Sequence, residues 1–252
     1  MNRQISQWLS HSGFYFYFFL ILGMICKDWI RLLFLGFLMF SIHALSGQSI
    51  FDNPTVLTQE NGLLDNYITA IKLDQNNFTW IGTTKGLARF DGSKFKYFLH
   101  DPDDPNSIPN NQALSLHQDQ KGRLWVGSYA GISLYRPETQ DFKNYTQNDI
   151  DPNSQLPNRR VNAIIEDHYH QIWIGMNESG LARYDESRDT FISYHFEVEN
   201  AGPSIDVSRV NSIIHLAPHA ENDSLIWLAT LSGLILFNQH TTDYRWFHHS
   251  LD

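Results

Sequence analysis

The side chains that could do chemistry in this 252-residue chain are few in kind. Twelve histidines invite a metal reading, and His168-x-His170 and His215-x3-His219 are two close-spaced pairs. Neither pair has a third ligand close by in sequence, as a zinc site would need, and histidines in exposed turns are the plainer account. Asp74, Asp119 and Asp167 recur, each six residues before a tryptophan. Two carboxylates converging on one point could serve as acid and base in glycoside cleavage. These three instead head the stretches "DQNNFTW", "DQKGRLW" and "DHYHQIW", where an aspartate that bonds its own downstream backbone makes a tight hairpin. Their expected role is structural, and "DGSKF" at 91–95 reads as a turn on the same grounds. Cys26 is the single cysteine, which excludes an internal disulfide and a cysteine-based zinc site. No catalytic, cofactor-binding or metal-ligating residue is assigned, no cofactor is expected, and the ligand-binding residues are not named by the sequence.

The composition is that of a folded globular chain, 42% hydrophobic and 18% charged. A net charge of −9 argues against nucleic acid as a partner, because such a surface needs a basic stripe.

The first 47 residues read as an address. Phe14 to Cys26 is an uncharged apolar run. Lys27 and Arg31 then form a basic region, Leu32 to Ile42 an apolar one, and Ala44 and Ser46 the small residues of a cleavage site. Cleavage after Ser46 or Gly47 is expected, with Met24 as an alternative start. An uncleaved hairpin or signal anchor is the other reading. In both, the remainder is exported.

From Gln48 onward the chain repeats itself. "WIGTTKGLARF", "WVGSYAGISLY", "WIGMNESGLARY" and "WLATLSGLILF" begin at Trp80, Trp125, Trp173 and Trp227. Spacings of 45, 48 and 54 residues are those of a propeller or solenoid. Each unit has an alternating apolar stretch ("YITAIKLD", "QALSLHQD", "RVNAIIED", "RVNSIIHL"), then the turn and the tryptophan strand. A glycine (Gly86, Gly131, Gly180, Gly233) follows and turns into a third strand. An aromatic pair three residues apart ends the unit: Phe95 and Phe98, Phe142 and Tyr145, Phe191 and Tyr194, Tyr244 and Phe247. Four short strands per unit describe a propeller blade. The fold expected is all-β, with four blades at about 66–98, 111–145, 160–194 and 209–247 and a domain over 48–252. The tryptophans are expected to fill the wedge between neighbouring sheets, the alternative being a stacking platform for a sugar. In the fourth unit Leu216 replaces the aspartate and Ala229 the glycine after tryptophan. Val56 to Asn66 reads as an outer strand plus linker with no blade before it, and the last residues start another linker. The expectation is an open part of a larger ring.

"NYITAIKLDQNNFTWIGTTKGLARF", "NQALSLHQDQKGRLWVGSYAGISLY" and "VNAIIEDHYHQIWIGMNESGLARY" resemble the two-component regulator propeller repeat. The resemblance covers about residues 50–252. It implies seven-bladed propellers that form the periplasmic sensor part of Bacteroidetes-type hybrid histidine kinases, many responding to carbohydrate breakdown products. No kinase, receiver or ATP-binding motif is found in this chain. The function expected is therefore ligand sensing, with a small molecule or oligosaccharide as partner and the rest of a sensor kinase chain as context. The chain itself is not expected to be an enzyme, and a homodimer stays open. The localisation expected is periplasmic, membrane-anchored in the full-length parent. The alternatives are a protein-interaction scaffold and a propeller glycosidase or lyase.

Overall fold

The computed structural model describes residues 56–147, 156, 160–197, 206–215 and 224–248. The expected export signal in 1–47, the altered first hairpin of the fourth repeat at 216–223, and His219 lie outside them.

The described chain is built of strands, as the alternating stretches require. Blade one holds β1 (Ile68–Leu73), β2 (Thr79–Thr83), β3 (Gly86–Phe90) and β4 (Phe95–Phe98). Blade two holds β5 (Ala113–Gln118), β6 (Leu124–Ser128), β7 (Gly131–Arg136) and β8 (Asp141–Tyr145). Blade three holds β9 (Val161–Glu166), β10 (Ile172–Met176), β11 (Leu181–Asp185) and β12 (Thr190–Tyr194). Blade four holds β13 (Val210–His215), β14 (Leu225–Thr230), β15 (Gly233–Asn238) and β16 (Tyr244–Phe247). Each blade is one antiparallel meander in chain order, and none of the four sheets closes on itself. The innermost strands β1, β5, β9 and β13 lie side by side in sequence order.

Local chemistry explains each turn. Asp74 Oδ1 accepts the backbone N–H groups of Asn76 and Phe78, and Asp119 and Asp167 hold their hairpins in the same way. The turn residue at the left-handed position is Asn77, Gly122 or His170, with φ of 63°, 78° and 62°. His170 is thus a turn histidine, as its pattern suggests. Gly86, Gly131 and Gly233 also stand at strongly positive φ, a conformation a side chain would strain.

Packing between blades forms the core. Trp80, Trp125 and Trp173 are fully buried, each reaching into the next blade. Trp80 meets Tyr135 at 4.8 Å between ring centroids, Trp125 meets Tyr184 at 5.0 Å, and Trp173 meets Phe237 at 5.9 Å. Burial of this kind rules out a sugar platform at these rings and assigns them to the wedge between sheets. The glycine after each tryptophan has its own reason. A β-carbon on Gly127 would stand 3.0 Å from Val161 O, and one on Gly175 would stand 2.6 Å from Val210 Cγ1. Only a residue without a side chain lets the next inner strand approach so closely.

The aromatic pair of each outer strand serves two interfaces. Residues three apart on a strand point to opposite faces. Phe98 therefore stacks on Trp80, while Phe95 turns to Phe90 on the other face of the blade. Linkers add one apolar residue to each of the three gaps, namely Ile108, Leu156 and Val207, and Leu63 packs against blade one.

One expectation is corrected. Val56 to Glu60 is not an outer strand. Residues 56–58 are irregular, and Gln59–Asn61 form a short 3-10 turn stopped by Gly62 at φ 104°. Thr58 N–H bonds the Asn61 side chain, which satisfies the backbone locally and removes the reason to pair with a sheet.

Candidate functional site

The three recurrent aspartates do not converge. Each sits in its own hairpin, with its second carboxylate oxygen taken by an indole: Trp80 Nε1 donates to Asp74 at 2.8 Å, Trp125 to Asp119 at 3.0 Å and Trp173 to Asp167 at 2.7 Å. These carboxylates are buried and fully occupied, so they hold blades together and have no free oxygen for acid–base chemistry.

His168 packs edge-on against Tyr169. His170 Nδ1 lies 3.3 Å from Glu166 Oε1, and His117 Nε2 lies 3.9 Å from the other oxygen of the same carboxylate. Burial holds the His117 ring below the usual imidazole range, and the Lys72 ammonium adds to this. Among the described residues, no three histidine, cysteine, aspartate or glutamate side chains are grouped so as to hold a metal.

A different set of residues does converge, at the ends of the innermost strands. Every one of these strands is irregular at its second residue. Pairing shifts between Ile68 and Ala70, between Ala113 and Ser115, between Val161 and Ala163, and between Val210 and Ser212. A bulge inserts one extra residue and re-aims its side chain. The four bulge residues are Thr69, Leu114, Asn162 and Asn211, and all four line one cavity of about 580 Å³. Tyr67, Gln112 and Arg160, the residues just before the strands, complete it together with Thr84 and Tyr129 from the β2–β3 and β6–β7 turns.

The wall is braced. The Thr69 hydroxyl donates to the Ala113 carbonyl of the next blade. Asn162 Nδ2 donates to the Val210 carbonyl at 3.0 Å, and Asn162 Oδ1 accepts from Arg160 Nε at 2.8 Å. The Arg160 guanidinium lies 4.3 Å above the Tyr129 ring centre, and Tyr129 N–H is tied to the Gln112 carbonyl. Tyr67 and Tyr129 are nonetheless exposed, at 68% and 39%. The cavity thus offers aromatic surface, amides and hydroxyls. Its described lining includes one cation and no carboxylate, in a chain of net charge −9. Nothing in this set is a nucleophile poised against a base.

The sequence analysis missed these residues, although a signal was present. In "VNAII" and "VNSII" the buried residues Val161 and Ile164, or Val210 and Ile213, are three apart where a flat strand would place them two apart. That odd spacing is the bulge.

Comparison with known proteins fits this architecture. The two-component regulator propeller family matches at residues 62–85, 107–130 and 155–178. Three segments of the chain are thus similar to that repeat. Each match ends in the tryptophan strand and the turn after it, the segment that packs against the next blade. A histidine kinase of Formosa agariphila is 33% identical over 73 residues, 29% of this chain and 5% of that protein. The extracellular domain of a hybrid two-component system of B. thetaiotaomicron superposes with a TM-score of 0.66 at 25% identity, over 77% of this chain and 26% of the other. The chain thus spans about a quarter of that domain. Virginiamycin B lyase of Staphylococcus aureus shares the fold at 14% identity, with a TM-score of 0.53 over 73% of this chain and 56% of the lyase.

Proposed function

We propose that this chain is a ligand-sensing propeller region of a two-component signalling protein. It is exported by its N-terminal segment and works on the periplasmic side, in the manner of a Bacteroidetes-type hybrid sensor. The kinase would lie in the rest of the full-length, membrane-anchored parent, and the region itself binds without turnover. Its ligand is a small hydroxyl-rich molecule of the carbohydrate class, and nucleic acid is not a partner.

The observation that carries this reading is the cavity at the blade axis. Its four bulge residues come from four different blades, so a molecule seated there touches every sheet at once. Amides and hydroxyls satisfy sugar hydroxyl groups, and exposed tyrosine rings cover the apolar face of a pyranose. The likeness to the extracellular domain of a two-component system supports the signalling role.

The test is calorimetric titration of the purified chain with a panel of neutral and acidic mono- and disaccharides. Binding by at least one sugar, weakened at least tenfold by Tyr129→Ala and by Asn211→Ala with unchanged melting, is expected. Binding that ignores both substitutions would place the ligand elsewhere, and catalytic release of a product would end the non-enzymatic reading.

A further inference from the structure

Two of the three gaps between blades are tied at their inner rim by the bulge residue of the earlier blade. Thr69 ties the first gap, its hydroxyl donating to the carbonyl of Ala113, the residue that opens β5. Asn162 ties the third gap, where Nδ2 donates to the carbonyl of Val210, which opens β13 in the same way. The second gap breaks the series. Its bulge residue is Leu114, which has no donor and cannot make the corresponding bond to the carbonyl of Val161, the residue that opens β9.

A different pair spans that gap. Tyr129 comes from the β6–β7 turn of blade two, and Arg160 directly precedes β9 of blade three. The guanidinium carbon lies 4.3 Å from the centre of the tyrosine ring. Arg160 Nε donates to Asn162 Oδ1 at 2.8 Å, and Asn162 is itself held by the Val210 carbonyl. The guanidinium is thus fixed at one nitrogen and backed by an aromatic face. It has little side-chain freedom left to lose on meeting an anion. A stacked pair that served merely to join two blades would be covered by them. Tyr129 is instead 39% exposed, and both residues line the cavity together with Leu114. A cation, an aromatic ring and an aliphatic side chain therefore share one wall, among the hydroxyls and amides of the rest of the lining. The Asp65 carboxylate, which accepts from the lining residue Thr84, also faces the Lys85 ammonium at 3.7 Å and is balanced there. Blades two and three each have a neighbouring blade on both sides, so this wall is set by contacts inside the chain.

We propose that the molecule bound in this cavity is an acidic sugar, a pyranose carrying one carboxylate or sulfate group, and that Arg160 selects it over its neutral counterpart. The inference rests on the sugar-sensing reading above and narrows it. A guanidinium presents its N–H donors in a plane that matches either anionic group. Leu114 and the tyrosine ring take the apolar face of the pyranose, and the amides of the lining take its hydroxyls. Selectivity then resides in one residue, because removing the anionic group leaves the other contacts as they were.

The test is calorimetric titration of the purified chain with matched sets of mono- and disaccharides. Each set holds a neutral sugar, its uronic acid, the methyl ester of that acid and its 6-sulfate. In at least one set the acid or the sulfate should bind at least tenfold more tightly than the neutral sugar and the ester, and whichever does so names the anionic group. Arg160→Gln should abolish that difference and leave the neutral sugar's affinity in place. Since this change also removes the Nε bond to Asn162, Arg160→Lys is the companion variant. It keeps the charge, loses the planar donors and should retain part of the preference. The ester comparison on the wild type needs no variant and reads the charge alone. A neutral sugar that binds as tightly as its acid and its sulfate overturns the proposal and leaves the sensing reading intact. A preference for the anion that persists in Arg160→Gln also overturns it, because the anion is then held elsewhere. Binding of no sugar in any set would remove the sensing reading itself, and this proposal with it.

Discussion

The indole Nε1 of Trp125 donates to Oδ2 of Asp119, 3.0 Å away and six residues earlier, and both side chains are buried. The same carboxylate oxygen accepts Arg123 Nε at 2.6 Å, while Oδ1 accepts the Arg123 backbone N–H at 2.8 Å. One aspartate thereby ties a hairpin to the residue that wedges two blades apart.

Replacing Asp119 by Asn should destabilise the chain by about 1–3 kcal/mol, because the new amide group turns an N–H toward donors that had an acceptor. Asp91→Asn is the control. Asp91 also holds a turn, through the N–H groups of Ser93 and Lys94, but it is exposed and touches no tryptophan. Its effect should stay within about 0.5 kcal/mol. Denaturant melts of both variants measure the difference, and equal losses would show that the indole bond adds nothing.

Gly127→Ala should be costly despite its small change in volume. The added methyl would stand 2.3 Å from Ser115 Oγ and 3.0 Å from Val161 O, against backbone that other contacts hold in place. A loss of about 1–3 kcal/mol is expected from overpacking at the second interface. A thermal melt unchanged from wild type would mean that the two blades can move apart freely.

Asp189 links blades two and three, accepting from Tyr145 Oη at 2.6 Å and Tyr184 Oη at 2.7 Å and pairing with Lys143. Burial works to raise its carboxyl, yet the bonds from Lys143, Tyr145 and Tyr184 outweigh this and hold it below the usual range. A depressed carboxyl adds stability that is present above its unfolded value of 3.8 and is lost as pH falls through its folded value. Asp189→Asn keeps a residue that tolerates the observed φ of 55° while removing the charge. The variant should melt earlier at pH 7 and lose less of its melting temperature between pH 5 and 3. Parallel curves for the two proteins would refute the link.

His117 acts in a separate window. Burial and Lys72 disfavour its charged form more than Glu166 and Asp119 favour it, so the folded ring binds its proton below the ordinary 6.5. The unfolded state then holds more protons below 6.5, and stability is lost as pH falls beneath that value. His117→Gln should flatten the melting temperature between pH 7 and 5 relative to wild type. A steeper curve for the variant would show that the imidazolium pairs with Glu166 well enough to reverse the sign.

The repeat was legible because its parts are local. An aspartate that closes a hairpin, a glycine at positive φ and strands of alternating apolar residues act over a few positions, so Asp74, Gly86 and "GLARF" announce a blade before any packing is known. Their recurrence at near-constant spacing then specifies four sheets of four strands. Val56 to Glu60 misled for the same reason. Its apolar and polar residues resemble an outer strand, but the bond from Thr58 N–H to Asn61 and the turn to Gly62 satisfied the backbone first.

Tertiary structure decided what lies between blades. The split of Phe95 and Phe98 between two faces of the blade and the Tyr145–Asp189 link between blades depend on packing. The cavity is the clearest case. Thr69, Leu114, Asn162 and Asn211 share no single residue type and lie about 45 residues apart. The bulge that each occupies turns the four side chains toward one cavity, and that depends on how neighbouring sheets are placed, which local sequence does not encode.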